Sequence, residues 1–168
     1  MNEDDSKPPD QAAKPTPHYH GHRGRLRDRF LANPDGLPDY ELLELVLAMA
    51  RPRGDVKPLA KALISRFGSF ADTIASDPAR LKEVDGIGDA TIAALKIVEA
   101  SAIRLARGNV MNKPVLSSWQ ALLDYCTASM ARATNEQFRV LFLDRKNVLI
   151  ADERQQEGTV DHTPVYPR

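Results

Sequence analysis

The stretch VDGIGDA, residues 84–90, constrains the fold of this chain more than any other segment. It places one apolar residue, Ile87, between two glycines, and apolar residues with helical spacing follow directly after it. Glycine lets the backbone pass through conformations that residues with side chains resist. We therefore predict a tight turn between two helices, in which Ile87 points into the core and the outer side presents bare backbone N–H groups.

Backbone N–H groups at the start of a helix favour an anion, typically a phosphate. The Gly-Ile-Gly turn resembles the helix-hairpin-helix motif, which grips the DNA backbone without reading bases. The segment FGSF, residues 67–70, occupies a matching place upstream, so residues 63–96 resemble the tandem helix-hairpin-helix unit of DNA-repair nucleases. This resemblance makes five residues candidates for nucleic-acid binding: Gly86, Ile87, Gly88, Gly68 and Ser69. A Gly88→Val substitution is expected to abolish binding, because a β-branched residue resists the backbone geometry of such a turn.

The charges near this turn leave a second interpretation open. Motifs of this kind that bind DNA usually carry a lysine or arginine after the second glycine, but this chain has Asp89 there and Asp85 before the first glycine. Each carboxylate would repel a nearby phosphate by on the order of 1 kcal/mol. A basic run lies upstream, at Arg23, Arg25, Arg27 and Arg29. Such runs are often solvated helix faces. Residues 63–96 therefore form either a DNA-binding module or a scaffold that docks a protein partner.

Helical spacing of apolar residues predicts five helices in the first two thirds of the chain. Residues 1–20 are polar and proline-rich, which predicts a disordered tail. The predicted helices are a short basic one before Pro34, a second capped by Asp39, a third capped by Asp55 and ended by Gly68, a fourth capped by Asp77, and a long fifth ended by Gly108. Together they predict an all-α domain at residues 21–108.

The pattern changes after a predicted linker at residues 109–116. A capping box from Ser117 to Gln120 opens one more helix. Two runs rich in Val, Leu, Phe and Ile follow, with a turn at Asp144 to Asn147, and predict a β-hairpin whose VLFL segment is buried on both faces. The predicted fold class is α+β, in which residues 117–168 form the incomplete start of an α/β domain.

Composition excludes several classes of protein. The apolar fraction of 42% is sufficient for a real core. No stretch approaches the roughly 18 apolar residues of a membrane span, and the acidic, proline-rich N-terminus lacks the apolar segment of a secretory signal. The 23 Lys and Arg residues balance 23 Asp and Glu residues, so any attraction to nucleic acid must be local. We predict a soluble cytoplasmic protein without a membrane partner.

Several sequence blocks agree, in the same order, with one known family. They are GHRGRLRDRF, LPDYELLELVL, DVKPLAKALISRFGSF, VDGIGDATIAALK, NEQFRVLFLDRKNVLI and GTVDHTPVYPR, and they extend from about His20 to Arg168. The chain resembles the RadC family (UPF0758). This resemblance implies a helix-hairpin-helix domain followed by a JAMM/MPN (JAB) domain, a zinc metallopeptidase-like module of the deaminase-like α/β type.

The resemblance also implies a catalytic site for the intact family. There, a His-x-His pair and a downstream aspartate hold zinc, and a glutamate before the first strand acts as general base, a position matched by Glu136. The sequence stops at Arg168 without this ligand block. We therefore expect a truncated chain with no metal ligands of its own, no cofactor and no activity as given. The alternative is that Glu136 is an ordinary exposed residue at the start of a strand.

The remaining candidate residues favour structural roles. His18, His20 and His22 form an incidental cluster with no carboxylate or cysteine nearby, and His162 stands alone. The single cysteine, Cys126, lies at helical spacing with apolar residues and is predicted to fill the core, and Asp124 is predicted to be solvated. Two functions thus stay open. The chain is either the front part of a metallopeptidase-like protein or a non-enzymatic module that binds the DNA backbone, without sequence preference, or a protein.

Overall fold

The computed structural model describes residues 19–131 and 136–157, and it confirms the α+β class. Its helices are α1 (Tyr19–Ala32), α2 (Asp39–Ala50), α3 (Lys57–Phe67), α4 (Phe70–Ala75), α5 (Pro78–Lys82), α6 (Asp89–Val110) and α7 (Trp119–Met130). Short 3-10 turns lie at Pro34–Gly36 and Leu116–Ser118, and the strands are β1 (Gln137–Leu143) and β2 (Leu149–Glu157). None of the helices in these ranges combines the length and the apolar character that crossing a bilayer requires. Residues 1–18 of the predicted tail lie outside the described part of the chain, and its last two residues, Tyr19 and His20, belong to α1 instead.

A core of leucines holds α2, α3, α5 and α6 together. The leucines without any exposed surface in this cluster are Leu43 and Leu47 from α2, Leu63 from α3, Leu81 from α5 and Leu95 from α6. Burying one such side chain contributes about 1.5–3 kcal/mol. Ile87 belongs to the same cluster and is only 9% exposed, which confirms that it points into the core.

Helix α6 links the helical core to the second half of the molecule. The prediction that Gly108 ends this helix is wrong, because α6 continues to Val110 and the chain reaches a left-handed conformation only at Asn112 (φ 60°). The last turns of α6 pack into a second cluster with residues of α7 and with Leu149 of β2. A helix of 22 residues is about 33 Å long, so the two clusters lie at opposite ends of α6. The domain limits themselves stay a prediction.

The segment predicted as a linker is paired with the start of β2. Asn112 N–H donates to the carbonyl of Leu149 (2.9 Å), and Val115 N–H donates to that of Asn147 (2.7 Å). In return, Leu149 N–H donates to the carbonyl of Lys113 (3.2 Å). Buried backbone groups need such partners, and Val115 and Leu149 are both buried. The segment therefore belongs to the packed structure.

The predicted capping box of α7 is not formed. The hydroxyls of Ser117 and Ser118 both donate to the carbonyl of Pro114, at 3.0 and 2.8 Å, and the Gln120 amide instead donates to Asp124 (2.9 Å). The reason is local geometry, because the 3-10 turn at Leu116–Ser118 leads directly into α7 and turns both hydroxyls backwards along the chain.

The two strands form the predicted antiparallel hairpin, with register shifts beside Phe138 and Phe142. In its turn, Asn147 has a left-handed φ of 57°, and its N–H donates to the carbonyl of Asp144 (3.0 Å). The prediction that VLFL is buried on both faces is wrong for the described residues. Phe142 and Leu143 are 39% and 44% exposed, since α7 covers only one face of a two-stranded sheet.

Candidate functional site

The helical part contains two glycine turns, the first at residues 67–70 and the second at residues 84–90. The second turn is built around a left-handed glycine. Gly86 has a φ of 86°, a conformation in which only glycine is unstrained. This bend allows Ile87 N–H to donate to the carbonyl of Val84 (3.0 Å) while the Ile87 side chain enters the core. The sequence interpretation of this segment as a tight turn between two helices is therefore confirmed.

The outer side of the second turn exposes backbone donors at the start of α6. Within the described residues, the N–H groups of Gly88, Asp89 and Ala90 donate to no acceptor, whereas the Gly88 carbonyl accepts from Thr91 and Ile92 at the usual helical spacing. These three donors are the orphan groups that every helix leaves at its N-terminus. They present partial positive charge to solvent.

Gly88 itself does not need to be glycine. Its φ of −113° and ψ of 173° are extended, and a Cβ atom added there would meet nothing within 4 Å. The expectation that Gly88→Val is resisted by the backbone is therefore wrong. The strained position is Gly86, where an added Cβ would also lie 3.3 Å from Arg51 Nη1.

The first turn, residues 67–70, uses its donors internally. Gly68 is left-handed (φ 99°) and ends α3, as predicted, and its N–H donates to the carbonyl of Ile64 (2.8 Å). Ser69 caps α4, because its hydroxyl accepts from Asp72 N–H (3.0 Å). The carboxylate of Asp39 accepts from Phe70 N–H (2.7 Å). Gly68 and Ser69 thus end one helix and begin the next. The Asp39 carboxylate already accepts from the N-terminus of α4, where an external anion would otherwise bind.

The expected aspartate caps differ in outcome. Asp39 does not cap α2, since Pro38 precedes that helix, and its carboxylate serves α4 instead. Asp55 accepts from Lys57 N–H (2.9 Å) at the start of α3, one residue ahead of the cap position. Asp77 caps α5 through Ala79 N–H (2.7 Å), as predicted.

The basic run of α1 is only partly solvated. Arg29 lies 2.9 Å from the carboxylate of Glu41, and His22 Nε2 lies 2.9 Å from that of the buried Glu44, although not with hydrogen-bond geometry. Arg25 and Arg27 are exposed. Hydrogen bonding to Glu41 and burial raise the pKa of Tyr40 at the same interface. His22 therefore belongs to the contact between α1 and α2. The side chains of the other two histidines of the predicted cluster, His18 and His20, lie outside what the structure describes.

Glu136 lies directly before β1 and is exposed. Across residues 19–131 and 136–157, no group of three or more His, Cys, Asp or Glu side chains is arranged to hold a metal ion. A catalytic zinc site needs three protein ligands and an open position. The described residues therefore do not fit the zinc centre that the resemblance implies, and no catalytic step through zinc is derived from them.

A partly buried polar cluster joins α7 to both strands, and sequence reasoning missed it. Arg139 donates to both carboxylate oxygens of Asp152, at 3.1 and 2.7 Å, and the Tyr125 hydroxyl also contacts that carboxylate. The strand register places Leu141 opposite Asp152 and Arg139 opposite Arg154, and no local spacing in the sequence indicates the Arg139–Asp152 pair.

Burial and hydrogen bonding within this cluster shift the pKa values of its members. Burial raises the pKa of Tyr125, and the hydrogen bond to Asp152 raises that of Arg139. Burial acts to raise the pKa of Asp152, but the hydrogen bonds from Arg139 and Tyr125 outweigh it and leave that pKa below its usual value. Burial also raises the pKa of the Cys126 thiol. A protonated thiol packed against the second cluster agrees with the predicted core role of Cys126.

Comparison with known proteins finds one family model and relatives of high identity. The family model of the RadC-like JAB domain matches residues 116–168. A UPF0758 protein of Rhodobacter capsulatus is 65% identical over 144 residues, which cover 85% of this chain and 67% of that protein. A UPF0758 protein of Ruegeria pomeroyi is 60% identical over 148 residues, which cover 88% of this chain and 66% of that protein.

The chain thus spans about two thirds of the length of these curated relatives, at 67% and 66%. No solved structure shows significant similarity to it. The aligned segments cover more than four fifths of the chain, so they include most of the helical part. On this evidence the chain belongs to the RadC family, known also as UPF0758.

Proposed function

We propose that the helical part of this RadC-family chain binds the phosphate backbone of duplex nucleic acid through the second turn. The observation that carries the proposal is the set of open N–H groups at Gly88, Asp89 and Ala90, at the start of a helix of 22 residues. Backbone donors contact phosphates without reading bases, so the binding is expected to be independent of sequence. The proposed location is the cytoplasm.

Two charged side chains set the strength of this binding. The exposed carboxylate of Asp89 lies in the first turn of α6, where it opposes an incoming phosphate, and Lys82 Nζ lies 3.1 Å from it. Because both side chains are exposed, water and salt screen this pair and it offsets the repulsion only in part. Replacing Asp89 by lysine removes a repulsion and adds an attraction. We expect Asp89→Lys to tighten duplex binding by on the order of 1 kcal/mol, roughly five-fold.

Fluorescence anisotropy of the chain with a labelled short duplex, at two salt concentrations, tests the proposal. Binding should weaken with salt, and Asp89→Lys should tighten it. Glu153→Lys is the matched control, because it makes the same charge change on exposed β2, which packs at the far end of α6. If the natural chain and Asp89→Lys are both inert at high micromolar concentration, the helical part is a scaffold or docks a protein.

A second candidate function is that of a zinc metallopeptidase-like JAB hydrolase, for which this chain would supply the front part. It is favoured by the position of Glu136, exposed and directly before β1, next to the region that matches the RadC-like JAB domain. We propose Glu136 as general base of that reaction. Its metal ligands would have to lie outside residues 19–131 and 136–157.

Two measurements test this second candidate. Metal analysis of the untagged chain should find no stoichiometric zinc, and tight one-to-one zinc would contradict this and direct attention to His18, His20 and His22. The coding frame after Arg168 should continue into a His-x-His block. In that longer product, Glu136→Gln should abolish hydrolysis while zinc is retained, whereas Glu153→Gln should not. Unchanged hydrolysis in Glu136→Gln would remove the assigned role.

A further inference from the structure

The loop between α2 and α3 brings an arginine to the second turn. Arg51 follows α2 directly, and its Nη1 donates to the carbonyl of Gly86 (2.8 Å), 35 residues further along the chain. The guanidinium therefore lies at the left-handed glycine of the turn, two residues before the first open N–H group. Its side chain is exposed, so this contact does not remove it from solvent.

Helix α1 fixes the loop that carries this arginine. The guanidinium of Arg23 donates to the carbonyls of Arg51, Pro52 and Gly54. The Arg51 carbonyl lies at the C-terminal end of α2, where a helix leaves acceptors unpaired and favours a cation. The carbonyls of Pro52 and Gly54 belong to the loop that follows. One side chain of α1 thus holds residues 51–54 in place, and both Arg51 and Arg53 are presented by a loop of fixed geometry.

Arg51 and Arg53 differ from the other cations around the second turn. Lys82 pairs with Asp89, and Arg66 pairs with Glu83. Arg51 and Arg53 are both exposed, and neither makes an ion pair with a carboxylate in the described part of the chain. The charge of Arg51 is therefore available to a ligand at the turn that Asp85 and Asp89 make acidic. Arg53 adds a second exposed charge two residues further along the same loop.

We propose that Arg51 and Arg53 supply the cationic side of the nucleic-acid surface whose backbone side is the second turn. This inference rests on the proposed function and identifies the residues that give it affinity. A guanidinium forms paired hydrogen bonds with phosphate oxygens. The open N–H groups would contact one phosphate of a duplex strand, and the two arginines would contact its neighbours. The cations that helix-hairpin-helix motifs usually carry in the turn thus come here from another part of the chain.

The test compares arginine variants of the whole chain in the same anisotropy titration. Arg51→Gln/Arg53→Gln should weaken duplex binding at low salt by roughly 3- to 10-fold, and each arginine should contribute about 0.9 to the slope of log K against log salt. Arg53→Gln alone should give about half of this slope change, because within residues 19–131 and 136–157 the Arg53 side chain makes no hydrogen bond or ion pair that supports the fold. The control is Arg145→Gln, an exposed arginine in the β1–β2 turn, which should bind as the natural chain does.

Each outcome separates this inference from the proposed function. If the double variant binds with unchanged affinity and slope while Asp89→Lys still binds more tightly, the arginines are not part of the surface and the second turn alone is the site. If neither the natural chain nor Asp89→Lys binds duplex, both proposals are wrong. If polyglutamate binds as tightly as the duplex, and the double variant loses both, the partner is an acidic protein rather than nucleic acid.

Discussion

The two turns of the helical part share a backbone and differ in what they offer to solvent. Each contains a left-handed glycine, Gly68 (φ 99°) in the first and Gly86 (φ 86°) in the second, and each leads into a helix. In the first, the donors of the six-residue α4 are used by Ser69 and by Asp39. In the second, the 22-residue α6 keeps its donors open. Similar local geometry therefore leaves backbone donors open only where no neighbouring side chain accepts from them.

The largest expected effect is the loss of unfolding free energy when a core leucine is replaced, and it tests whether both turns pack on the same core. Leu63 precedes the first turn and Leu81 the second, and both are fully buried in the same cluster. Leu63→Ala and Leu81→Ala should each lower the free energy of unfolding by about 2–5 kcal/mol in urea denaturation. The control Leu105→Ala, at a side chain that is 73% exposed, should change it by no more than about 0.5 kcal/mol. A loss at only one leucine would show that the turns are supported separately.

The next effect concerns the glycines themselves. Gly86→Ala and Gly68→Ala should each cost about 1–2 kcal/mol of unfolding free energy, because alanine is strained in the left-handed conformation. Gly88→Ala should be nearly neutral, since Gly88 is extended and has open space around it. Thermal or urea denaturation measures all three variants. An equal loss at Gly88 would contradict the assignment of Gly86 as the residue that forms the second turn.

A smaller effect is expected from the carboxylate that occupies the first turn. Asp39→Ala removes the acceptor of Phe70 N–H and should cost about 1 kcal/mol, as for the loss of a helix cap. Hydrogen exchange at the Phe70 amide should become faster in this variant. The amides of Asp89 and Ala90 should already exchange quickly in the natural chain. Protection of these two amides equal to that of Phe70 would mean that the second turn is also filled.

Local patterns in the sequence predict much of the fold. Helical periodicity gives every helix except the six-residue α4, which it does not predict. The Gly-Ile-Gly spacing gives the buried Ile87, and the apolar runs around Asp144 give the strand pair. The end of α6 could not be obtained in this way, because Gly108 is tolerated within a helix whose last turns are packed against α7.

The candidate site was only partly predictable, because its decisive contacts join distant residues. Asp39 and Phe70 are 31 residues apart, and Arg51 and Gly86 are 35 apart. No local spacing indicates either pair. The sequence therefore identifies both turns as equivalent, and only the tertiary contacts show that one has its own carboxylate and the other an arginine.

Amide chemical-shift mapping tests most directly whether the second turn, and not the first, binds phosphate. A ¹⁵N-labelled chain would be titrated with a short duplex, and the shift of each backbone amide would be recorded. The largest changes should occur at Gly88, Asp89 and Ala90, with further changes at Arg51 and Arg53 and little change at Ser69 and Phe70. Equal changes at both turns, or changes confined to the first, would contradict the account.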